Sequence, residues 1–164
     1  MVSIMNEALK LEIGHKVLEI GTGCGWHAST VAEIVAPSNR PEEEWGHVYT
    51  IEIIPELAEF AERNIRHAGF EKRVTVICRD GSLGLPEKAP FDRILVTAAA
   101  PYIPPPLKKQ LKIGGLMVLP VGAVGFYQTL VRVQRVNDEF LEEDLGGVAF
   151  VPLVGKHGHK IYGY

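Results

Sequence analysis

Near its start the chain carries the stretch Val17-Leu18-Glu19-Ile20-Gly21-Thr22-Gly23-Cys24-Gly25-Trp26-His27. An apolar run that holds an acid and is followed by three alternate glycines is typical of a short buried strand that turns sharply into a helix. Glycines stand where a Cβ would keep a ligand away from the backbone. The stretch therefore predicts, in an α/β fold, a site that fits a nucleotide.

The glycine spacing separates two kinds of cofactor. The dinucleotide fingerprint G-x-G-x-x-G places a pyrophosphate on a helix N-terminus, but here Trp26 stands where its last glycine would fall. The acid before the loop, Glu19, suits an amine-bearing ligand better than a phosphate. S-adenosylmethionine has an ammonium and a sulfonium and no phosphate. Because three glycines also fit a plain strand-to-helix connection, the residues further along the chain must decide.

Length and composition predict a single domain over residues 1–164. The chain is 46% hydrophobic, enough to bury one core, and its formal net charge of -3 gives no general attraction to nucleic acid or anionic membranes. It has no apolar run near the ~18 residues of a membrane span and no signal-peptide pattern, so we expect a cytoplasmic protein that binds neither partner. Cys24 and Cys78 are expected to be small, reduced core residues.

Strands and helices alternate along most of the chain. The patterns predict helices at 2–11, 26–35, 55–67 and, after Pro104, a short one ending at Gly114-Gly115. Predicted strands are 16–20, 47–52, 74–78, 92–97 and 116–121. Such alternation indicates a doubly wound, mostly parallel sheet, and two further strands at 127–135 and 147–154 are expected to form an antiparallel pair at one edge. The helix at 55–67 should bury Leu57, Phe60, Ala61 and Ile65.

Polar residues stand at the ends of the predicted strands, where a ligand lies in a sheet of this kind. Glu52 ends the second strand, and a carboxylate there can accept hydrogen bonds from both hydroxyls of a ribose. Asp80-Gly81 ends the third, where the acid can accept from an adenine amino group and the glycine lets the ring approach. The fourth runs into residues 97–101, Thr-Ala-Ala-Ala-Pro, whose small side chains leave room beside a reacting centre.

Each of these residues also has a structural explanation. Glu19 is compatible with a polar strand end, and Glu52 and Asp80 with helix or turn caps. Thr97 is compatible with a β-branched strand residue. Ligand roles are therefore the favoured hypothesis for these positions, with the structural roles left open.

The histidines are weaker signals. Trp26 and His27 begin a predicted helix, where core packing or a solvated edge explains them as well as cofactor contact does. The pair His157 and His159 lacks further ligands at metal spacing, so no metal site is expected.

Together these residues resemble the protein-L-isoaspartate (D-aspartate) O-methyltransferase family, archaeal members in particular. The matching segments are 17–25, 49–52, 55–57, 80–84, 89–92, 96–101, 111–115, 120–122 and 150–153. The run from Asp80 to Pro101, with its triple alanine, is the most diagnostic, whereas the first segments occur in many methyltransferases. The resemblance covers Met1 to about Gly155.

The resemblance implies a class I, Rossmann-like fold that binds S-adenosylmethionine and releases S-adenosylhomocysteine. It assigns the cofactor to Glu19, Gly21, Thr22, Gly23 and Gly25 at the methionine end, Glu52 at the ribose, and Asp80 and Gly81 at the adenine. The residues expected to line the substrate site are Thr97, Ala98, Ala99, Ala100, Val151 and Pro152.

The implied reaction is repair of damaged proteins, in which the free carboxylate of an L-isoaspartyl or D-aspartyl residue receives the methyl group. That carboxylate is already ionised near neutral pH, and its attack on a methyl held by a positive sulfur cancels charge. Exclusion of water and in-line positioning then supply the catalysis. We therefore expect isoaspartyl proteins as partners, no catalytic acid or base, and no metal.

The chain departs from the family at its start. Family members carry an N-terminal segment with an Ile-Ser-x-Pro-His stretch whose serine lies at the reacting centre, and Ser3 falls after that point. Two alternatives follow. The chain is an enzyme that is truncated or whose sequence begins after its true start, or it is a cofactor-binding remnant of the family without turnover. Another methyltransferase or a nicotinamide-dependent oxidoreductase is disfavoured. We expect a monomer, with self-association through apolar surface near the pocket as the alternative.

Overall fold

A computed structural model describes residues 1–125 and 127–160 and arranges them around one seven-stranded sheet. The helices are α1 (Val2–Leu9), α2 (Trp26–Val35), α3 (Pro55–His67) and α4 (Pro105–Gln110). The strands are β1 (Lys16–Ile20), β2 (His47–Glu52), β3 (Val74–Cys78), β4 (Phe91–Val96), β5 (Leu111–Gly122), β6 (Gln128–Val136) and β7 (Glu139–Val148). Short 3-10 turns occupy Glu42–Glu44, Gly81–Leu83 and Pro86–Lys88.

The strand order is β3-β2-β1-β4-β5-β6-β7. Strands β1 to β5 run parallel, and β6 and β7 are antiparallel to their neighbours, which confirms the predicted sheet with its antiparallel edge. The chain returns to the other side of β1 at β4, so the strand order reverses between them. That reversal opens a crevice at the carboxyl ends of β1 and β4, where ligands bind in open α/β sheets.

Both faces of the sheet are covered, so the central strands are apolar on both sides. Val17 belongs to a cluster with residues of α1, α2 and α3, whereas Leu18 packs with residues of α4 and the loops on the opposite face. Because side chains alternate along a strand, Glu19 points to the same face as Val17. The acid of the decisive stretch is thus directed towards α2.

The prediction of a helix ending at Gly114-Gly115 was wrong. Helix α4 stops at Gln110, and β5 begins at once with Leu111. The pairing of β4 with β5 shifts between Phe91 and Arg93, so the residues before Leu116 bulge out of the ladder. Gly114 has a φ of 80°, and the two glycines therefore form a strand irregularity instead of a helix end.

The prediction of a strand at 147–154 was also wrong. The second antiparallel strand is β7, which follows β6 after a tight turn in which Asn137 has a φ of 57°. This strand carries several acidic residues, which suit an exposed edge strand because charges prevent pairing with other chains. Glu143, for example, pairs with Arg132 of β6.

Helix α3 has the predicted bounds and a different buried face. Ala58, Ala61 and Ile65 are buried against the sheet, whereas Leu57 and Phe60 are exposed. Both sets recur at helical spacing, so periodicity alone did not distinguish them. Leu57 instead faces the crevice.

The cysteines differ from expectation as well. Cys24 and Cys78 are free thiols as predicted, but both are exposed, because Cys24 lies on the outside of the glycine loop and Cys78 ends a strand at the sheet edge. No helix within the described part of the chain has the length and apolarity needed to cross a membrane.

Candidate functional site

Two adjoining cavities lie at the carboxyl ends of the strands. The strand-end cavity, of about 240 Å³, is lined by Ile20, Gly21, Gly23, Ile51, Glu52, Ile53, Ile54, Leu57, Gly81, Thr97, Ala98, Val151, Pro152, Leu153 and Val154. The loop-side cavity, of about 280 Å³, is lined by Met1, Val2, Met5, Gly21, Thr22, Gly23, Cys24, Trp26, His27, Thr97 and Phe150. They share Gly21, Gly23 and Thr97. Each is below the ~300 Å³ at which ligand pockets usually begin, and together they exceed it.

The glycine loop that joins the two cavities is shaped by close approach. Gly21 has a φ of 96°, and a Cβ there would lie 2.4 Å from Thr97 Oγ1. That hydroxyl donates to the carbonyl of Gly21 at 2.6 Å and so ties the loop to the end of β4. Gly23 has a φ of 56° with open space in front of it. A ligand can therefore reach the backbone at Gly23, as the motif predicts.

Glu52 connects the glycine loop to the end of β2. Its Oε2 accepts from the Gly23 N–H at 3.0 Å, and its Oε1 accepts from the N–H groups of Ile53 and Ile54 at 3.0 and 3.1 Å. A carboxylate offers about four acceptor sites. The remaining acceptor capacity is on Oε2, next to the strand-end cavity. One ribose hydroxyl can donate to it, and a second would compete with the Gly23 N–H for the same oxygen.

Asp80 acts as a local cap in this structure. Its Oδ1 accepts from the N–H and hydroxyl of Ser82, and its Oδ2 accepts from the N–H of Lys156 at 2.8 Å. Gly155 packs against the carboxyl group, where a Cβ would lie 2.1 Å from Oδ1. Asp80 thus anchors the residues after Val154, while its neighbour Gly81 forms part of the cavity wall.

Glu19 lies beneath the glycine loop, fully buried, not at its surface. Its Oε2 accepts from the hydroxyl of Thr50 at 2.5 Å, and Thr50 in turn lies 2.6 Å from the hydroxyl of Thr22. Its Oε1 has no hydrogen-bond partner among the residues that the structure describes. Burial raises the pKa of Glu19 to about 8, the Thr50 hydrogen bond opposes this, and the charge of Glu52 adds to it.

His27 contacts the same region from the start of α2. Its Nδ1 lies 4.0 Å from Glu19 Oε1, and its Nε2 is 2.8 Å from Asn6 Oδ1 on α1. Burial lowers the pKa of His27 to about 4, and the positive N-terminal amino group adds to the effect. The ring is therefore neutral at physiological pH, and Asn6 is a site residue that sequence reasoning missed because nothing in its local pattern indicates α1 packing on the loop.

The predicted substrate residues divide between the cavity wall and the layer behind it. Thr97, Ala98, Val151 and Pro152 line the strand-end cavity. Ala99 and Ala100 are fully buried. Ala99 makes two backbone hydrogen bonds of 2.8 Å with the segment after β7. Its N–H donates to the carbonyl of Val151, and its carbonyl accepts from the N–H of Leu153. The alanines thus hold Val151 and Pro152 at the wall.

Other residues of the glycine motif take structural positions. Gly25 packs on α3, where a Cβ would lie 3.0 Å from Ile65, and it lines neither of the two cavities. Thr22 is buried and faces the loop-side cavity. Of His157 and His159, the first contacts the Tyr102 hydroxyl at 3.2 Å. In the ranges 1–125 and 127–160 no three potential ligands cluster as a metal site would require.

The charge of the cavities favours one class of ligand. Among the described residues that line them, Glu52 is the charged side chain, neither Lys nor Arg occurs, and Met1 adds a positive amino group on the loop side, while Glu19 lies directly behind. A pyrophosphate would find no Lys or Arg side chain here. An adenosine carrying an ammonium group fits the acceptors at the cavity wall, which are the vacant capacity of Glu52 and the open backbone at Gly23, with the buried carboxyl group of Glu19 behind the loop. Ile53, Ile54 and Leu57 add apolar wall that the motifs did not indicate.

Comparison with known proteins identifies the family. The model of the protein-L-isoaspartate(D-aspartate) O-methyltransferase family matches residues 1–158. A curated protein-L-isoaspartate O-methyltransferase of Hyperthermus butylicus is 56% identical over 163 residues, which is 99% of this chain and 67% of the relative. A relative of the same name from Pyrococcus horikoshii is 51% identical over 98% of this chain and 69% of its own length.

Solved structures give the same result at the level of the fold. A protein-L-isoaspartate O-methyltransferase structure superposes with a TM-score of 0.86 at 28% identity, over 96% of this chain and 47% of that one. A Plasmodium falciparum protein described as a putative member, solved with S-adenosyl-L-homocysteine, gives 0.81 at 23% identity over 94% and 73%. The fold is that of a class I methyltransferase, and the chain belongs to the protein-L-isoaspartate(D-aspartate) O-methyltransferase family.

Proposed function

We propose that this protein transfers the methyl group of S-adenosylmethionine to the free carboxylate of L-isoaspartyl and D-aspartyl residues in damaged proteins. The observation that carries the proposal is the family match over residues 1–158. The cleft supports it, because its described walls offer the Glu52 carboxylate and no Lys or Arg side chain. The whole activity stands as a proposal because the chain spans 67% of one relative and about half of one solved chain.

The proposed cofactor lies across both cavities. Glu52 accepts a ribose hydroxyl through Oε2, and Gly81 lies against the adenine ring with Asp80 beside it. The backbone of Gly21 and Gly23 adjoins the methionine end, with Glu19 as the buried anion behind the loop. Gly21 and Gly23 line both cavities, so the cofactor crosses from one cavity to the other beside these two glycines.

The bound cofactor supplies a methyl group on a positively charged sulfur. The residues around it position the isoaspartyl carboxylate and shield it from water on the side of the cavity wall. Ala98, Val151 and Pro152 form an apolar wall beside the glycine loop, which weakens solvation of the attacking carboxylate. The hydrogen bond from Thr97 to Gly21 fixes that loop and so the line along which the carboxylate approaches. Since charge is cancelled in the transfer, no residue needs to move a proton.

Cofactor binding without turnover is the second candidate. The wall of the cleft is open, with Val151 70% exposed on one side and Trp26 67% exposed on the other. Transfer between a carboxylate and a sulfonium depends on excluding water, so an open wall favours binding over catalysis.

The test uses S-adenosylmethionine with a labelled methyl group and two peptides that differ only in an isoaspartyl or a normal aspartyl residue. Base-labile label on the isoaspartyl peptide alone is the expected result. Equal labelling of both peptides would contradict the proposed substrate, and tight cofactor binding with no label on either would establish the second candidate.

Compartment and assembly belong to the proposal as well. Two free cysteines are compatible with a reducing, cytoplasmic environment. We expect a monomer in solution, with self-association through the exposed cleft wall as the alternative, and light scattering of the purified protein distinguishes the two.

A further inference from the structure

The carboxyl group of Glu19 is only half satisfied in the structure. Oε2 accepts from Thr50, but nothing in the described ranges donates to Oε1, although the side chain is fully buried. A buried ionised oxygen without a donor or a nearby positive charge is costly. The oxygen therefore needs either a proton of its own or a cation brought by a ligand.

The neighbouring histidine supplies neither. His27 Nε2 faces the acceptor oxygen of Asn6 at 2.8 Å, so this nitrogen carries the ring hydrogen and Nδ1, 4.0 Å from Glu19 Oε1, presents a lone pair. The ring stays neutral because burial lowers the pKa of His27 to about 4. An ionised Oε1 would face this lone pair, whereas a protonated one would not be repelled.

The charged groups around the pair come from three sides. Glu52 on β2 acts on Glu19 and favours its protonated form. The amino group of Met1, at the start of α1, acts on His27 and favours its neutral form. From α2 the titratable group that faces Glu19 is His27 itself. These influences agree: they favour a neutral His27 ring and a protonated Glu19 carboxyl group, whose pKa burial raises to about 8.

We propose that Glu19 is protonated in the free protein and releases its proton when the ammonium group of S-adenosylmethionine or S-adenosylhomocysteine binds at the glycine loop. Glu19 and His27 then act as positioning residues that select a cationic methionine end. The inference rests on the proposed function only for the identity of the ligand. In this step the O–H bond at Glu19 breaks, the proton passes to the buffer, and the ligand's ammonium replaces its positive charge.

The location of the cavities supports a ligand cation at this place. His27 lines the loop-side cavity together with Gly21, Thr22 and Gly23, so the methionine end enters beside the ring that Glu19 faces. A positive charge that arrives next to a buried carboxyl lowers its pKa, because it stabilises the ionised form.

The experiment is calorimetry of S-adenosylhomocysteine binding to the full chain at pH 7, in phosphate and in Tris, whose ionisation enthalpies differ. The expected result is release of about one proton per bound ligand, since a group with a pKa of about 8 is mostly protonated at pH 7. Release should decrease as pH rises through about 8. The ligand 5′-methylthioadenosine, which lacks the amino-acid end, should bind without proton release.

Variants locate the proton. Glu19→Gln should abolish the release, while Glu59→Gln, an exposed control on α3, should leave it unchanged. His27→Gln should retain the release, because the proton resides on Glu19. If the His27 variant loses proton release while the Glu19 variant keeps it, the proton resides on the histidine and the proposal is overturned.

The outcomes separate this inference from the proposed function. Failure of S-adenosylhomocysteine to bind in any buffer would refute the proposed function. Binding with the same heat in both buffers, or equal proton release by 5′-methylthioadenosine, would refute the proton linkage and leave the methyltransferase proposal standing. Because these comparisons use the unmodified chain, they decide the matter even if Glu19→Gln fails to fold.

Discussion

Replacement of Glu52 by Gln tests the assignment of the ribose site. The carboxylate accepts three backbone N–H groups and has its remaining capacity on Oε2 beside the cavity. If the Gln oxygen takes the place of Oε1, its NH₂ group faces the Gly23 N–H as a second donor and cannot accept from a ribose hydroxyl. The variant therefore loses at least one charge-assisted hydrogen bond to the ligand, worth about 1.5–3 kcal/mol. That range corresponds to an affinity about 10- to 150-fold weaker.

Isothermal calorimetry with S-adenosylhomocysteine measures this loss directly. Glu59→Gln is the matched control, because it removes the same charge from an exposed position on the adjoining helix α3 and should leave the affinity unchanged. Thermal unfolding of both variants without ligand shows whether the Glu52 variant has lost affinity or stability. An affinity within twofold of the wild type in a folded Glu52→Gln protein would refute the assignment of this residue to the cofactor.

Three other perturbations follow from the same contacts. Gly21→Ala should abolish S-adenosylhomocysteine binding and lower the melting temperature, because the added Cβ would lie 2.4 Å from Thr97 Oγ1 at a φ of 96°. The double variant Gly21→Ala with Thr97→Ala should recover part of the stability. If it recovers none, the clash with Thr97 is not the cause. Stability of the ligand-free protein should fall as pH rises from about 6.5 to 8. In that window Glu19 is protonated in the folded protein and ionised in the unfolded chain, so raising the pH destabilises the fold. The lowered pKa of His27 has the opposite effect, because stability rises with pH between about 4 and 6.5, and it does not act above the ordinary histidine pKa of 6.5. Chemical denaturation should show a slope of at most ~1.4 kcal/mol per pH unit that is absent in Glu19→Gln, and an equal slope in that variant would show that another group is responsible. Val151→Asp should raise KM for an isoaspartyl peptide several-fold by repelling its carboxylate; an unaltered KM would exclude this wall from the peptide site.

The central part of the fold was predictable because its signals are local. The glycines after β1, Pro55 at the start of α3 and the apolar runs of β1 to β4 each determine the structure of their own segment, and the predicted bounds agree with the structure to within a residue. The doubly wound topology follows from the alternation of these elements.

The parts that were wrong depend on contacts distant in sequence. Gly114 and Gly115 resemble a helix end, but they form a bulge whose shape is set by pairing with β4. The acidic residues of β7 are explained by its position at the sheet edge, which a local pattern does not reveal. Leu57 and Phe60 repeat at the same spacing as the buried residues of α3, and only the direction of packing separates the two sets.

At the site, the sequence placed acids at the strand ends, and the structure shows how differently they are used. Glu52 lies at the cavity, Glu19 lies behind the loop with an unpaired oxygen, and Asp80 caps the turn that follows it. These depths depend on which face of each strand is covered. The contact of His27 with Asn6 likewise arises because α1 packs beside the loop, and no spacing in the sequence predicts it.

A stoichiometric single turnover shows whether this chain transfers the methyl group. The protein is loaded with methyl-labelled S-adenosylmethionine and mixed with excess isoaspartyl peptide, and S-adenosylhomocysteine and methylated peptide are both quantified over time. The two products should appear together in equal amounts, with the label on the isoaspartyl carboxylate. Cofactor that remains intact on the protein while the peptide stays unmethylated would contradict the proposed transfer.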